Sequence, residues 1–321
     1  MRIISPVDHL AEALPLLTSG ADELYGGYLP KGWSERFSHF ASINQRTFAG
    51  AQLESQEELA AIVDLCHQQG KRFSLTLNAP YYIDAQLPML LDVVDQAIAA
   101  GVNGIILADP GLLTILKERY PQVEYHASTL AHLLNSQAIE FYRQLGISRA
   151  ILPRHLTTAE MATIVAASPA IRCDAFLLVG NCPNTEGLCT FHHSSPDKIW
   201  PCEIPYRIEP LQKGNPSPLL QRAMEQQGSW SQSDRRHGCG LCAIPDLARI
   251  GIDGLKLVGR GAPSARKIAH VRLVRQMLDL AAVEPDLSSY RKAAIAAHRL
   301  NFAADCSRNV CYYPEFFPDK L

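Results

Sequence analysis

The chain has 321 residues, 47% of them hydrophobic and 19% charged, and 30 Lys+Arg against 32 Asp+Glu give a formal charge of −2. That apolar content suits one large domain or two small ones, and the charge balance excludes a global basic field for a polyanion while leaving room for a local RNA-binding patch. The longest run without Asp, Glu, Lys or Arg, Tyr125 to Ile139, contains His, Ser, Asn and Gln, so no membrane span is expected.

The opening residues, Met-Arg-Ile-Ile-Ser-Pro, carry no secretory h-region, and a cytoplasmic protein is expected. Short β-like runs then alternate with amphipathic helical stretches. Arg2–Val7 precedes His9–Gly20, where Leu10, Ala13, Leu14 and Leu17 fall at helical spacing. Ala21–Tyr28 precedes Ser55–Gly70, opened by Ser55 with Glu58 three residues on, a capping-box pattern. Lys71–Asn78 leads to Gln86–Gly101, Val102–Asp109 to Gly111–Tyr120, and Val123–Thr129 to Asn135–Gly146. Ser148–Arg154 leads to Thr157–Ser168, Ile171–Val179 is a seventh strand, and Asp253–Arg260 is an eighth that feeds Ser264–Ala282.

Eight strand-then-helix units predict a (β/α)8 TIM-like barrel. Residues 181–243 form a Cys-rich insertion after strand seven, and 283–321 a C-terminal helix and Cys-containing tail. Setting both aside leaves about 220 residues, within the roughly 200–250 of a minimal barrel. The predicted organisation is a barrel over 1–282, insertion included, and a tail over 283–321. An open doubly wound sheet is the rival, but no Gly-x-Gly-x-x-Gly turn follows the first strand. Within the insertion Gln212–Ser233 shows no periodicity and reads as loop.

Chemistry in a barrel gathers at the C-terminal strand ends. Those ends carry Tyr25-Gly26-Gly27, Asn78, Asp109, His126 with Ser128 and Thr129, Arg154-His155, Asn181-Cys182, and Lys256 with Arg260. Arg154, Arg260 and Lys256 are candidates for gripping an anionic small molecule, because guanidinium forks match carboxylates. Ion pairs that merely close the barrel end are the alternative. His126 and His155 are candidate proton carriers or, equally, structural histidines.

Nine cysteines without an export signal argue against a disulfide framework and for metal, cluster or redox chemistry. Cys66 and Cys173 lie in a helical and a strand segment and read as buried free thiols. Cys182, Cys189, Cys202, Cys239 and Cys242 share the insertion, and four converging thiolates hold zinc or an iron–sulfur cluster. The uneven spacing suits a cluster better than two tight zinc knuckles. Cys306 and Cys311 in the tail, with Cys239 and Cys242, form a candidate second four-cysteine site or else a reduced pair under the barrel mouth.

The segment Asp174-Ala-Phe176 … Cys182-Pro-Asn-Thr-Glu-Gly187-Leu-Cys189 resembles the signature of the collagenase-like peptidases, peptidase family U32. The likeness extends through Gly20-Ala-Asp-Glu-Leu-Tyr25-Gly-Gly27, Asp109-Pro-Gly111, His126-Ala-Ser128-Thr129, Leu152-Pro-Arg154-His155 and Leu255-Lys256-Leu-Val-Gly259-Arg260, all in order. The resemblance implies a 4Fe–4S cluster on Cys182, Cys189, Cys202 and Cys242, with Cys239 in reserve. It implies oxygen-independent hydroxylation of an RNA or a quinone precursor, prephenate as an anionic co-substrate, and a heteromeric partner of the same family. A peptidase, and a non-catalytic cluster-bearing subunit, are the alternatives. The family's glutamates after the arginine and before Gly-Arg are His155 and Val258 here, and its Ser-Gly is Glu186-Gly187. These departures bear on the choice of substrate and donor.

Overall fold

The computed structural model describes residues 1–37, 42–46, 49–182, 186–187, 209–211 and 214–317. Eight parallel strands close in sequence order: β1 Arg2–Pro6, β2 Glu23–Gly26, β3 Arg72–Leu77, β4 Gly104–Leu107, β5 Glu124–Ala127, β6 Arg149–Ile151, β7 Arg172–Leu178 and β8 Gly254–Leu257. Helices α1 Leu10–Thr18, α2 Gln56–Gln68, α3 Leu87–Ala99, α4 Pro110–Arg119, α5 Ser136–Gln144 and α6 Thr158–Ala167 ring the barrel. Within the insertion lies α7 Pro218–Ser231, and after it come α8 Ile244–Arg249, α9 Ser264–Val283 and α10 Leu287–Phe302. The predicted barrel is the observed fold, and each predicted strand contains an observed one. No helix among the described residues is long and apolar enough to cross a membrane.

Local chemistry sets the helix starts. Ser55 Oγ accepts from Glu58 N on α2, and Asn135 caps α5 in the same way. Thr157 and Glu160 form a reciprocal capping box on α6, each satisfying a donor that the first turn leaves unpaired. Asp109, one of the polar strand ends, is a cap too: its Oδ1 accepts from Leu112 N at 2.7 Å. One expectation fails. Within the stretch read as loop, α7 is a helix with Ser217 as its cap and Pro218 in its first turn. Its apolar Leu220, Met224 and Trp230 fall at helical spacing but are only half-buried, and Leu219 is 79% exposed, so the apolar face is weak.

Outward-facing strand residues such as Phe73, Ile105 and Tyr125 pack beneath the helices, and Tyr125 Oη donates to Leu116 O at 2.8 Å and Tyr120 O at 3.0 Å. The lower interior is filled by charge rather than by aliphatic layers. Glu23 and Arg149, both fully buried, meet with Arg149 Nη1 2.9 and 2.8 Å from the two carboxylate oxygens, while Ser74 Oγ donates to Glu23 at 2.7 Å. Arg149 Nε stands 3.4 Å from Asp174 and 3.9 Å from Glu124. Arg2, Arg72, Arg172 and Asp253 complete this belt at the lower rim. Two inward-facing glycines make room for it. A Cβ on Gly254 would lie 2.3 Å from Asp174 Oδ1, and one on Gly104 2.7 Å from His126 Nε2.

Glu124 links this belt to solution pH. Burial alone would raise its carboxyl, but His126 Nε2 at 3.0 Å and the Arg72 and Arg172 guanidiniums draw it down to about 2 from 4.5. A depressed carboxylate contributes stability above its unfolded pKa and loses it as pH falls through the folded one. Glu124→Gln is therefore expected to flatten the fall in urea-unfolding stability between pH 4.5 and about 2. An unchanged pH profile would remove Glu124 from this role.

Candidate active site

At the C-terminal end of the barrel the chain assembles a cationic mouth. Tyr25, closing β2, is buried and donates its hydroxyl to Leu257 O at 2.7 Å; burial pushes its pKa up to about 12. The Lys256 ammonium sits 4.1 Å from the centre of the Tyr25 ring. Arg260 follows β8 through a left-handed Gly259, and its Nη1 donates to Thr76 Oγ1 at 3.1 Å while Nη2 donates to Asn44 O. Gly27 lets these groups approach, for a Cβ there would stand 2.2 Å from Asn44 Nδ2 and 2.7 Å from Arg260 Nη1. Asn44 and Gln52 exchange two amide hydrogen bonds of 2.8 and 2.9 Å, and Gln52 also donates to Arg46 O at 2.7 Å. That clamp holds the segment bearing Arg46.

Arg154, after β6, lies with its guanidinium carbon 3.6 Å from the centre of the Phe176 ring. It is ion-paired with Glu186, whose Oε2 also accepts from Arg154 N at 2.7 Å and Thr129 Oγ1 at 2.9 Å. Tyr312, from the tail, hydrogen-bonds Val179 O and also contacts Arg154. Val179 has φ 67°, in the left-handed region that a β-branched residue seldom enters, and its N donates to Gly238 O at 2.7 Å. This turn sends the chain out of β7 toward Cys182.

The cations act on one another. Burial and then Arg46 lower Arg260 to about 9, and burial and then Tyr25, Arg154 and Asp8 act on Arg46, whose net shift is downward. Burial lowers Lys256, with Asp174 and Glu23 opposing and Arg260 and Arg154 adding to the fall. Asp174, below it, is raised by burial and by Glu23. Asp8 also faces this group, but its Oδ2 accepts from Lys267 at 2.7 Å. Arg154, Arg260 and Lys256, named from sequence, are thus brought together, and Arg46 and Glu186 join them.

The two candidate histidines stand apart from this mouth. His126 is 1% exposed and belongs to the charged belt beside Glu124, because it lies one turn of the pleat below Ser128. His155 is exposed on the rim. A shallow depression of about 340 Å³ lined by Met1, Val165, Arg172 and Asp253 opens on the opposite, N-terminal face. That end of a barrel serves stability rather than chemistry.

Of the proposed cluster ligands, Cys189 and Cys202 lie outside the described residues. Cys182 is half-buried on a segment that pairs with the one carrying Cys239: Leu178 and Cys239 form an antiparallel bridge, and Gly180 N and Asn181 N donate to Arg235 O. Cys242 is half-buried with Sγ 4.0 Å from Arg291 O, and burial raises it to about 11. Cys239, flanked by glycines, reads from sequence as the looser of the two. It is in fact held on both sides, its N donating to Val310 O and its O accepting from Tyr312 N, each at 2.9 Å. Cys66 and Cys173 are buried, as expected. Among the described residues no three His, Cys, Asp or Glu side chains are arranged to hold a metal ion.

The model of peptidase family U32 matches residues 8–312. The chain is 27% identical over 189 residues to tRNA hydroxylation protein P of Haemophilus influenzae, covering 59% of this chain and 38% of that protein. It is 24% identical over 216 residues to the 23S rRNA 5-hydroxycytidine C2501 synthase of Escherichia coli, covering 65% and 30%. It is 26% identical over 163 residues to the collagenase of Porphyromonas gingivalis, covering 51% and 35%. The chain thus spans well under half the length of these relatives.

Proposed function

Since the chain belongs to peptidase family U32, we propose that it is an iron–sulfur-dependent, hydroxylase-type enzyme whose barrel mouth grips a small anionic co-substrate such as prephenate. The observation that carries the reading is the convergence of Arg46, Arg154, Arg260 and Lys256 on Tyr25. Cations held close together gain most from a carboxylate placed among them. The relatives named for tRNA and rRNA hydroxylation support an RNA acceptor, and a quinone-precursor ring is the alternative acceptor.

A 4Fe–4S cluster would be held by Cys182, Cys189, Cys202 and Cys242, with Cys239 in reserve. Soft thiolates suit iron–sulfur centres, and the pairing of the 178–181 and 235–239 segments supports the fit of Cys182 with the later cysteines. When bound, such a cluster supplies one-electron redox chemistry. The chain's own part is to orient the anion through its arginine forks and to keep water away with Tyr25, Phe176 and Tyr312. A cytoplasmic location and a heteromeric partner of the same family belong to the same proposal.

Anaerobic purification with iron and sulfide analysis tests it. Roughly four irons per chain are expected, and Cys182→Ser and Cys242→Ser should each lose most of them. Cys66→Ser and Cys173→Ser should keep their iron and cost at most about 1 kcal/mol of packing. One zinc and no iron would sink the cluster. Gelatin cleavage undiminished in Cys182→Ser would instead favour the peptidase reading that the collagenase relative suggests. A stoichiometric partner without turnover by the isolated chain would favour a non-catalytic subunit.

A further inference from the structure

Among the described residues two lysines are buried, and their surroundings differ. Lys267, 2% exposed, is neutralised by Asp8 Oδ2 at 2.7 Å and by Glu12. Lys256, 6% exposed, makes no hydrogen bond and no ion pair among the described residues, so it does not serve as an ion pair closing the barrel end. What faces its ammonium is the Tyr25 ring, 4.1 Å from Nζ.

The sheet register places this amine. Lys256 is the third residue of β8, opposite Ile4 of β1 on one side and Phe176 of β7 on the other. Phe176 carries the Arg154 guanidinium on its ring, and Arg260 follows Lys256 by four positions at the same strand end. The amine thus stands between two anion-binding arginines at the end of the barrel where chemistry gathers. An unpaired ammonium in such a place is costly, which favours the neutral amine. Burial does lower Lys256, Arg260 and Arg154 adding to the fall against Asp174 and Glu23. A neutral, desolvated lysine is the form that attacks carbonyl carbon.

We propose that Lys256 is a covalent carbonyl-binding residue, forming an imine with a 2-oxo acid whose carboxylate is held by Arg154 and Arg260. Nζ gives one proton to solvent and attacks the ketone carbon; the C–N bond forms as the C=O π pair moves to oxygen, and a proton passes from nitrogen to that oxygen. The nitrogen lone pair then expels the oxygen as water, which carries off the proton given up at the start. Ammonium plus ketone becomes iminium plus water, with nothing oxidised or reduced. The positive charge is conserved, so the Tyr25 ring still faces a cation. The carboxylate half of this assignment rests on the anion site proposed above, and the imine half does not.

The test incubates the full chain, purified anaerobically, with pyruvate, or with acetone as a carbonyl lacking the carboxylate. Cyanoborohydride reduces any imine to a stable secondary amine, and peptide mass spectrometry locates it. Pyruvate is expected to label Lys256 at least about tenfold faster than the exposed Lys31 and Lys292, and faster than acetone does, with the preference lost in urea. Lys256→Arg keeps the charge and should lose this label alone, circular dichroism showing that it folds. Labelling of Lys256 no faster than of Lys31 and Lys292 would overturn the proposal, and the mapping of the unsubstituted chain decides this without the variant. Calorimetric binding of pyruvate with no label on Lys256 would overturn the imine and keep the anion site. Equal labelling of Lys256 by acetone and pyruvate would keep the imine and overturn the 2-oxo acid, and the anion site with it.

Discussion

Arg149→Met is expected to lower the unfolding free energy by about 3–5 kcal/mol, because removing one partner of a buried ion pair leaves the other uncompensated. Glu23 is fully buried, and Arg149 supplies its two shortest guanidinium contacts, with Arg2 Nη1 farther off at 3.3 Å. The same guanidinium lies beside Asp174, a carboxyl already raised by burial and by Glu23. Without it, two acidic groups are left together in the barrel interior. Adding Glu23→Leu to Arg149→Met should recover part of the loss, since an apolar pair avoids the desolvation that a lone carboxylate suffers. Urea titration of the four proteins of this cycle measures the coupling. A single-variant cost under about 1 kcal/mol, the range of exposed pairs, would mean that the belt is not the structural element described.

Arg154→Gln is expected to weaken binding of prephenate, used as the probe, by about 30- to 100-fold, the equivalent of roughly 2–3 kcal/mol for a charged hydrogen-bonded contact. Stacking on Phe176 and the Tyr312 contact fix its orientation, so the fork is ready before a ligand arrives. The change also strands Glu186, which is 5% exposed, and so carries a stability cost of its own. The double variant Arg154→Gln/Glu186→Gln separates the two effects, because it should restore the melting temperature without restoring affinity. Arg260→Lys is expected to fall between the parent and Arg154→Gln. It keeps the charge but cannot reach Thr76 Oγ1 and Asn44 O with one planar group. Calorimetric titration reads both, and a loss of less than threefold in Arg154→Gln would remove that residue from the anion site.

The barrel was legible because each strand is an apolar run between turn residues and because Ser55, with Glu58 three residues on, announces its helix. Arg154, Lys256 and Arg260 could be found because they close such runs. His126 misled for the same reason. A four-residue strand brings the end of the motif within one pleat of the belt, and polarity alone does not say on which side of that boundary a residue falls. Arg46 sits on the long connection between β2 and α2, beyond a short helix at Trp33–Phe37, and nothing in its neighbours marks it. The available signal was the length of that connection on the face where barrels do their chemistry. Glu186 was visible only as a departure from the family pattern, and its pairing with Arg154 across 32 positions needed the fold. The helix α7 was hidden by its polar composition, yet Ser217-Pro218 offered a start signal, and Leu220, Met224 and Trp230 fall at helical spacing.

The charged belt also gives the barrel a direction. Below the level of Lys256 the interior is an interlocked lattice of guanidiniums and carboxylates, while above it arginines predominate around Glu186. An anion approaching from solution therefore meets an attractive potential at one end and a floor at the other. The low-dielectric walls concentrate that field along the axis, so capture is fastest at low ionic strength and slows as the Debye length shortens. On the proposed reading, an anion held by these arginines would lie above that floor, on the side of the segment bearing Cys182.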